Sequence, residues 1–222
     1  MSEITINPVL TIAGSDSGGG AGIQADLKVF SALGVFGKTI ITSITAQNTF
    51  GVQSTYDLPT SVIGEQFQAI SADKKCRAVK IGMLGNEETV FLVSKMIKKN
   101  RLKNIVVDPV VSSSSGKRLL TRGGVNALKE MLLPLASLVT PNIREAELLS
   151  GIKIKNLADR KRAARIILKT GARGVLITGG HLKGNPDDLL LDEKGFQLFS
   201  SRRLSKLDVH GTGCVFSSAI AA

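Results

Sequence analysis

Near its end the chain reads Gly211-Thr212-Gly213-Cys214, preceded by Asp208-Val209-His210 and followed by the apolar run Val215-Phe216-Ser217-Ser218-Ala219-Ile220-Ala221-Ala222. Glycine lets backbone come close to a ligand. The first N–H groups of a helix point outwards with the dipole behind them, so these residues have the makings of an anion cradle at a helix mouth. Cys214 falls in the first turn, where a thiol pKa can drop towards neutrality and the group can act as base or nucleophile. An anion hole beside a reactive group fits phosphoryl or acyl transfer. The alternative is a plain helix N-cap with a buried cysteine serving as a small hydrophobe, and these four residues alone do not separate the two.

A second glycine-rich segment lies near the start. Pro8 to Ala13 has the character of a buried first strand, Gly14-Ser15-Asp16-Ser17-Gly18-Gly19-Gly20-Ala21-Gly22 that of a flexible loop, and Ile23 to Leu33 that of an amphipathic helix ending at Gly34. Strand, glycine loop and helix open a βα unit. No Gly-Lys-Ser/Thr follows the glycines, so this is not a Walker loop, and its match to a dinucleotide fingerprint is accidental.

The elements that must position these groups alternate along the chain. Strands are expected over 39–44, 78–81, 104–107, 138–140 and 174–178, and helices over 62–72, 87–99, 124–133 (closed by Pro134), 144–149 (opened by Pro141-Asn142) and 157–170. Residues 187–191 and 195–199 form an antiparallel pair across a short turn. Such alternation implies a mostly parallel sheet with helices on both faces, whose ligands sit beyond the carboxyl ends of the strands. Gly14–Gly22, Gln47-Asn48, Gly82-Met83, Asp108-Pro109, Asn142 and Gly179-Gly180 all follow strands and can line one crevice.

At 222 residues the chain can bury one sizeable α/β core. No apolar run reaches the ~18 residues of a membrane span, and Met1-Ser2-Glu3-Ile4 does not open like a signal peptide. Cys76 and Cys214 fit no pairing or zinc motif with the scattered His181 and His210, which points to a reducing cytoplasm. The net charge of +11 raises nucleic acid as a partner. The positives are dispersed (Lys98-Lys99, Arg101 and Lys103; Arg160-Lys161-Arg162 and Arg165), and one tyrosine with no tryptophan offers few stacking platforms. Neither nucleic acid nor a membrane is an expected partner.

The chain also carries, in order, Ala13-Gly14-Ser15-Asp16-Ser17-Gly18-Gly19-Gly20-Ala21-Gly22-Ile23-Gln24-Ala25-Asp26, Thr45-Ala46-Gln47-Asn48-Thr49, Lys80-Ile81-Gly82-Met83-Leu84, Asp108-Pro109-Val110, Thr140-Pro141-Asn142 with Glu145-Ala146, Gly179-Gly180-His181 and His210-Gly211-Thr212-Gly213-Cys214. Taken together they resemble the hydroxymethylpyrimidine/phosphomethylpyrimidine kinases, a thiamine-pathway branch of the ribokinase-like family, over residues 8–222. The resemblance implies a single ribokinase-like α/β domain over 1–222 with a small antiparallel addition. It implies ATP and Mg²⁺ as cofactors, and phosphorylation of 4-amino-5-hydroxymethyl-2-methylpyrimidine followed by phosphorylation of its monophosphate. A homodimer is the expected assembly.

Residue by residue, the resemblance gives Cys214 the place of the catalytic aspartate of other ribokinase relatives, accepting the hydroxymethyl proton. The amides of Gly211, Thr212 and Gly213 would hold the transferring phosphate. Asp108 and Glu145 would enter the Mg²⁺ sphere, mostly through waters; otherwise they are a turn-fixing strand end and a charge balancing a helix dipole. Gln47 can donate and accept along one edge of an aminopyrimidine, Asp26 can accept from its amino or hydroxyl group, and Met83 can pack on the ring. Their ordinary readings are a loop-capping amide, a solvated helix carboxylate and a core methionine. Gly14, Ala21 and Val111 would line the substrate pocket, and Asn142, Gly180 and Thr212 the nucleotide site. Lys80 is either a charge in the site or a snorkelling stem.

Two departures matter. Thr178 stands where the family has a lysine that helps hold ATP phosphates. The chain is also expected to be cut short at its C-terminus, lacking helices that complete the adenine pocket. Pyrimidine is therefore expected to bind, and ATP only weakly. A pyridoxine/pyridoxal kinase on the same fold and a non-catalytic pyrimidine-binding sensor are the competing functions.

Overall fold

A computed structural model describes residues 8–72, 75–180, 185–203 and 210–222. His181, Asp208 and Val209 lie outside the described residues. One nine-stranded sheet runs through the molecule in the order β3-β2-β1-β4-β5-β6-β7-β8-β9. β1 (Val9–Asp16), β2 (Gly37–Asn48), β4 (Ala78–Ile81), β5 (Ile105–Val107), β6 (Leu138–Val139) and β7 (Val175–Ile177) are parallel. β3 (Gly51–Asp57) folds back on β2 at one edge, and β8 (Asp188–Asp192) and β9 (Gly195–Phe199) add antiparallel strands at the other.

Alternate side chains of the parallel strands feed two cores, as a sheet covered on both faces requires. Leu10, Ile12, Val79, Ile81, Ile105, Val107, Val139 and Val175 face the larger core. It is filled by α2 (Thr60–Ser71), α3 (Glu87–Asn100), α4 (Arg122–Ala127), α5 (Ile143–Ser150) and α6 (Leu157–Leu168). Val9, Ala78 and Val106 face the other way, onto Phe30 of α1 (Gly22–Ala32) and Ala221 of α7 (Thr212–Ala221).

The helix ends follow local chemistry. Asn86 caps α3 by accepting from the Thr89 amide, with Glu87 and Glu88 in the first turn and Lys98 and Lys99 in the last, each matched to the dipole. α5 opens with a reciprocal capping box between Asn142 and Glu145 and stops at Gly151, whose φ of 74° is left-handed.

Three elements differ from the sequence expectation. β2 runs past residue 44 to Asn48 and pairs with β3, which was not expected. The single helix over 124–133 is instead α4 from Arg122, capped by Thr121, continued by a π-turn over Leu128–Leu132 and a 3₁₀ turn over Leu133–Leu135. Pro134 has no N–H to give the α-helical ladder, so the turn tightens where the helix ends.

The chain order explains where the ligands go. From β1 the chain passes through α1 to β2 on one side, then returns through β3 and α2 to β4 on the other. The strand order therefore reverses at β1, and the crevice outside its carboxyl end is the place where such sheets bind ligands.

Candidate active site

A cavity of ≈ 750 Å³ opens along these carboxyl ends. Its walls include Gly14, Asp16 and Ala21 after β1, Gln47 on β2, Lys80 and Met83 at β4, and Asp108 after β5. Asn142 caps α5 and Arg144 and Glu145 lie in its first turn, Thr178 and Gly180 follow β7, and Gly211 to Cys214 form the mouth of α7. Twelve of the fourteen expected site residues thus share one hollow. Asp26 and Val111 do not.

The glycine loop is pinned rather than flexible. The Asp16 carboxylate accepts from the amides of Gly18, Gly20 and Ala21 at 2.8–3.0 Å, so those donors serve an internal anion instead of a ligand. This brings the loop against α7. A side chain at Gly211, which caps α7 at φ 84°, would strike the Gly20 carbonyl, and one at Gly20 would strike His210. His210 Nε2 lies 3.5 Å from Asp16. The first intrahelical bond of α7 runs from the Val215 amide to the Gly211 carbonyl, which leaves the Thr212, Gly213 and Cys214 amides as the open donors of the cradle.

α7 is fixed by two buried hydroxyls. Ser217 donates to Asp108 at 3.2 Å and Ser218 to Asp26 at 2.6 Å. Asp26 is fully buried beneath the cavity, where Lys80 Nζ meets both its oxygens at 2.9 Å and Thr11 donates to one of them. With both oxygens engaged it offers nothing to a ligand. It is neither a pocket acceptor nor a solvated carboxylate, and Lys80 is an interior charge rather than a snorkelling stem. Burial alone would pull the Lys80 pKa down, but Cys214, Asp26 and Asp108 together hold it above its ordinary value.

The expectation of a low-pKa thiol is overturned. Burial pushes Cys214 up to about 11, with Asp108 and Asp26 adding to the rise; Lys80 and a hydrogen bond from the Gly22 amide pull the other way without winning. The helix dipole acts over one turn, whereas the loss of hydration acts on the whole thiolate. The resting group is a thiol.

Asp108 and Glu145 form an acidic pair. Burial raises both, against the pull of Lys80 on Asp108. Glu145 is pushed up to about 8, first by burial and then by the like charge of Asp108. Its carboxylate also accepts from the Asn142 amide at 2.9 Å, so it completes a helix cap and walls the cavity at once. Two buried oxygen donors of like charge fit a hard cation such as Mg²⁺. No cluster of three His, Cys, Asp or Glu stands among the described residues, which leaves most of such a cation's sphere to phosphate and water.

At the β2 end, the pairing with β3 slips between Ala46 and Gln47. Such a bulge re-aims a side chain. Ser17 clamps the Gln47 backbone from both sides, donating to its carbonyl and accepting from its amide. The Gln47 side chain has only a 3.4 Å contact from Thr45, so its amide is available to a ligand. Met83 is buried, its carbonyl held by Thr42, and the missing Cβ of Gly14 makes room for its sulfur. Val111 points into the larger core while its neighbour Val110 faces the cavity. In a loop without a strand's period, the parity of neighbouring side chains is not readable from sequence.

Residues that the sequence reading passes over also shape the site. Asp16 was legible in principle, since Ser-Asp-Ser-Gly is an Asx-turn pattern. Arg160 on α6 was not. It is buried and its guanidinium bonds the carbonyls of Ile177, at the end of β7 beside Thr178, and of Asp187, just before β8.

The family described as Phosphomethylpyrimidine kinase matches residues 16–222. The chain is 47% identical over 214 residues to the thiamine biosynthesis bifunctional protein ThiED of Geobacter sulfurreducens, covering 96% of this chain but 44% of that protein. It is 48% identical to the hydroxymethylpyrimidine/phosphomethylpyrimidine kinase of Rhizobium meliloti, covering 96% of this chain and 80% of that one. Among solved structures, the phosphomethylpyrimidine kinase of Clostridium difficile superposes with a TM-score of 0.86 at 46% identity, over 97% of this chain and 89% of the other. An ADP complex of Bacillus subtilis pyridoxal kinase superposes with a TM-score of 0.90 at 39% identity, over 98% and 83%. The fold is thus shared with both activities, while identity favours the pyrimidine kinases over the pyridoxal kinase alternative. The chain belongs to the phosphomethylpyrimidine kinase family and is an ATP-dependent phosphotransferase.

Proposed function

We propose that this cavity transfers the γ-phosphoryl group of ATP to the hydroxymethyl oxygen of 4-amino-5-hydroxymethyl-2-methylpyrimidine, and then to the phosphate of the product. The observation that carries the reading is an alignment along one hollow. An unpaired amide (Gln47) and a thioether (Met83) stand at the β2–β4 end, the Asn142 helix cap and Gly180 at the β6–β7 end, and the α7 cradle with Cys214 between them. A cavity of this volume suits a small aromatic ring and a phosphate chain.

In this assignment Gln47 pairs with the pyrimidine edge, Met83 packs on the ring, and Gly14 and Ala21 line it. Asn142, Gly180 and Thr212 contact the nucleotide. The Thr212, Gly213 and Cys214 amides meet charge developing on the transferring group, where fixed donors lower the barrier most. Asp108 and Glu145 would hold Mg²⁺, which supplies neutralisation of the phosphate oxygens when bound. In the first step the bond from phosphorus to the substrate oxygen forms, the bond to ADP breaks, and the hydroxyl proton passes to the Cys214 thiolate. Lys80 stabilises that thiolate, the minority form of the free site. In the second step the acceptor is an ionised phosphate, so no proton need be taken.

A homodimer and a cytoplasmic setting belong to the same proposal. Ile44, Phe50 and Tyr56 on the β2–β3 hairpin expose apolar surface suited to a second copy, and neither cysteine is in a disulfide. Sedimentation checks the assembly. The function is tested by ADP release with the pyrimidine, its monophosphate and pyridoxine in parallel. Turnover of both pyrimidines above pyridoxine is the expected result. Preference for pyridoxine establishes the rival kinase, and binding without ADP release a sensor.

A further inference from the structure

The cavity is short of free cations. Its described walls carry four carboxyl groups, Asp16, Asp108, Glu145 and Asp188, against two permanent cations, Lys80 and Arg144, and the titratable His210. Lys80 is not available, because both oxygens of Asp26 hold its amino group. His210 faces Asp16. Arg203 lies outside the lining and donates to the Gly180 carbonyl. Arg144 is exposed, and among the described residues its guanidinium makes no hydrogen bond and no ion pair within 4 Å. Its one marked electrostatic neighbour, Glu147, already binds Lys153 and the Ile154 amide.

Its place in the fold is unusual. Arg144 sits in the first turn of α5, where the helix dipole opposes a cation. That turn lies beside the end of β7. The Thr178 amide donates to the Pro141 carbonyl at 3.0 Å, and Thr178 bridges Asn142. The guanidinium therefore stands at the β6–β7 end of the cavity, with Asn142, Thr178 and Gly180, and away from Gln47 and Met83 across the sheet.

We propose that Arg144 is the residue that binds the nucleotide polyphosphate, supplying at the α5 mouth the positive charge that Thr178 does not. This rests on the phosphoryl-transfer reading above and assigns a specificity role within it. A planar guanidinium with unused donors matches paired phosphate oxygens, and an anion there also offsets the charge that α5 otherwise tolerates poorly. The site then ranks adenine nucleotides by phosphate charge, ATP over ADP over AMP.

The test is calorimetry with ATP, ADP, AMP and the pyrimidine, at low and high salt, on the unmodified chain, Arg144→Ala and Arg144→Ala/Thr178→Lys. Arg144 is exposed and makes no internal bond, so the alanine variant keeps its fold. We expect Arg144→Ala to weaken ATP about tenfold or more at low salt, to flatten the salt dependence, and to leave AMP and the pyrimidine within about twofold. Lysine at 178 should recover most of the lost ATP affinity. An alanine variant with unchanged ATP affinity and salt dependence overturns the assignment, and so does a loss that lysine at 178 leaves unrepaired. If the unmodified chain binds no ATP and forms no ADP, the phosphoryl-transfer reading itself falls, and this assignment with it; unmodified turnover beside an unaffected Arg144→Ala removes only the assignment.

Discussion

Cys214 gives the sharpest quantitative test, because its two possible environments predict opposite reactivities. A thiol lowered by a helix N-terminus would alkylate faster than a free cysteine. The thiol here is pushed up to about 11. A free thiol near 8.5 is ~3% ionised at pH 7, against about 10⁻⁴ for one at 11, a ratio of roughly 300. The more basic thiolate is the better nucleophile, and a Brønsted slope of ~0.4–0.5 returns about tenfold of that. Cys214 should therefore react with iodoacetamide about 30-fold more slowly than an unfolded peptide of the same sequence, measured in a Cys76→Ser background by peptide mass. Half-burial makes this a lower bound on the slowing. The rate should climb tenfold per pH unit from 7 to 10. Lys80→Met should slow it further, since Lys80 is the largest influence opposing the rise. A plateau reached by pH 8, or a rate above that of the peptide, would refute the electrostatic argument. The same reasoning reaches catalysis. Cys214→Ala should cut the first phosphorylation about 10²–10⁴-fold and the second much less. The first-step rate should rise with pH between 7 and 9 while the second stays flat. Equal, minor losses in both steps would leave Cys214 as packing.

Three further outcomes are expected. Gln47→Ala should weaken pyrimidine binding by ~1–3 kcal/mol and ATP binding far less, read by calorimetry with each ligand alone. Glu145 binds a proton in the folded state up to about pH 8 that the unfolded chain releases near 4.5, so its contribution is full at low pH and is lost as pH rises from 4.5 to 8. Thermal melts of the metal-free protein should fall over that window, and Glu145→Gln, which keeps the cap, should flatten the fall. Lys80→Met strands a buried carboxylate and should cost ~3–5 kcal/mol by urea titration, whereas the double change with Asp26→Leu should recover much of it; an undiminished loss in the double variant would show that shape, not charge, sets the cost.

What the sequence made legible follows from the range of the forces involved. The buried parallel strands announce themselves because both faces are apolar, and Ala78–Ile81 was placed to the residue. β3 stayed hidden because it is an edge strand whose side chains are exposed or half-exposed on both faces, with no apolar row to mark it. The start of α4 was placed two residues late, at Gly124 instead of Arg122, although the Thr121 side chain capping the Gly124 amide was there to be found. The carboxyl-end residues fell into one cavity because position after a strand is itself the signal in a sheet of this topology. Asp26 escaped that logic. Its partners Thr11, Lys80 and Ser218 lie 15, 54 and 192 residues away, and no local pattern says that a helical carboxylate will be buried among them. The sign of the Cys214 shift failed for the same reason: a local rule about helix mouths was applied where burial and two distant aspartates decide. Arg144 is the converse case. A cation in the first turn of α5 runs against the dipole, and this local contradiction at the rim of the cavity is legible in the sequence once the helix start is placed; the phosphate role proposed for Arg144 starts from it.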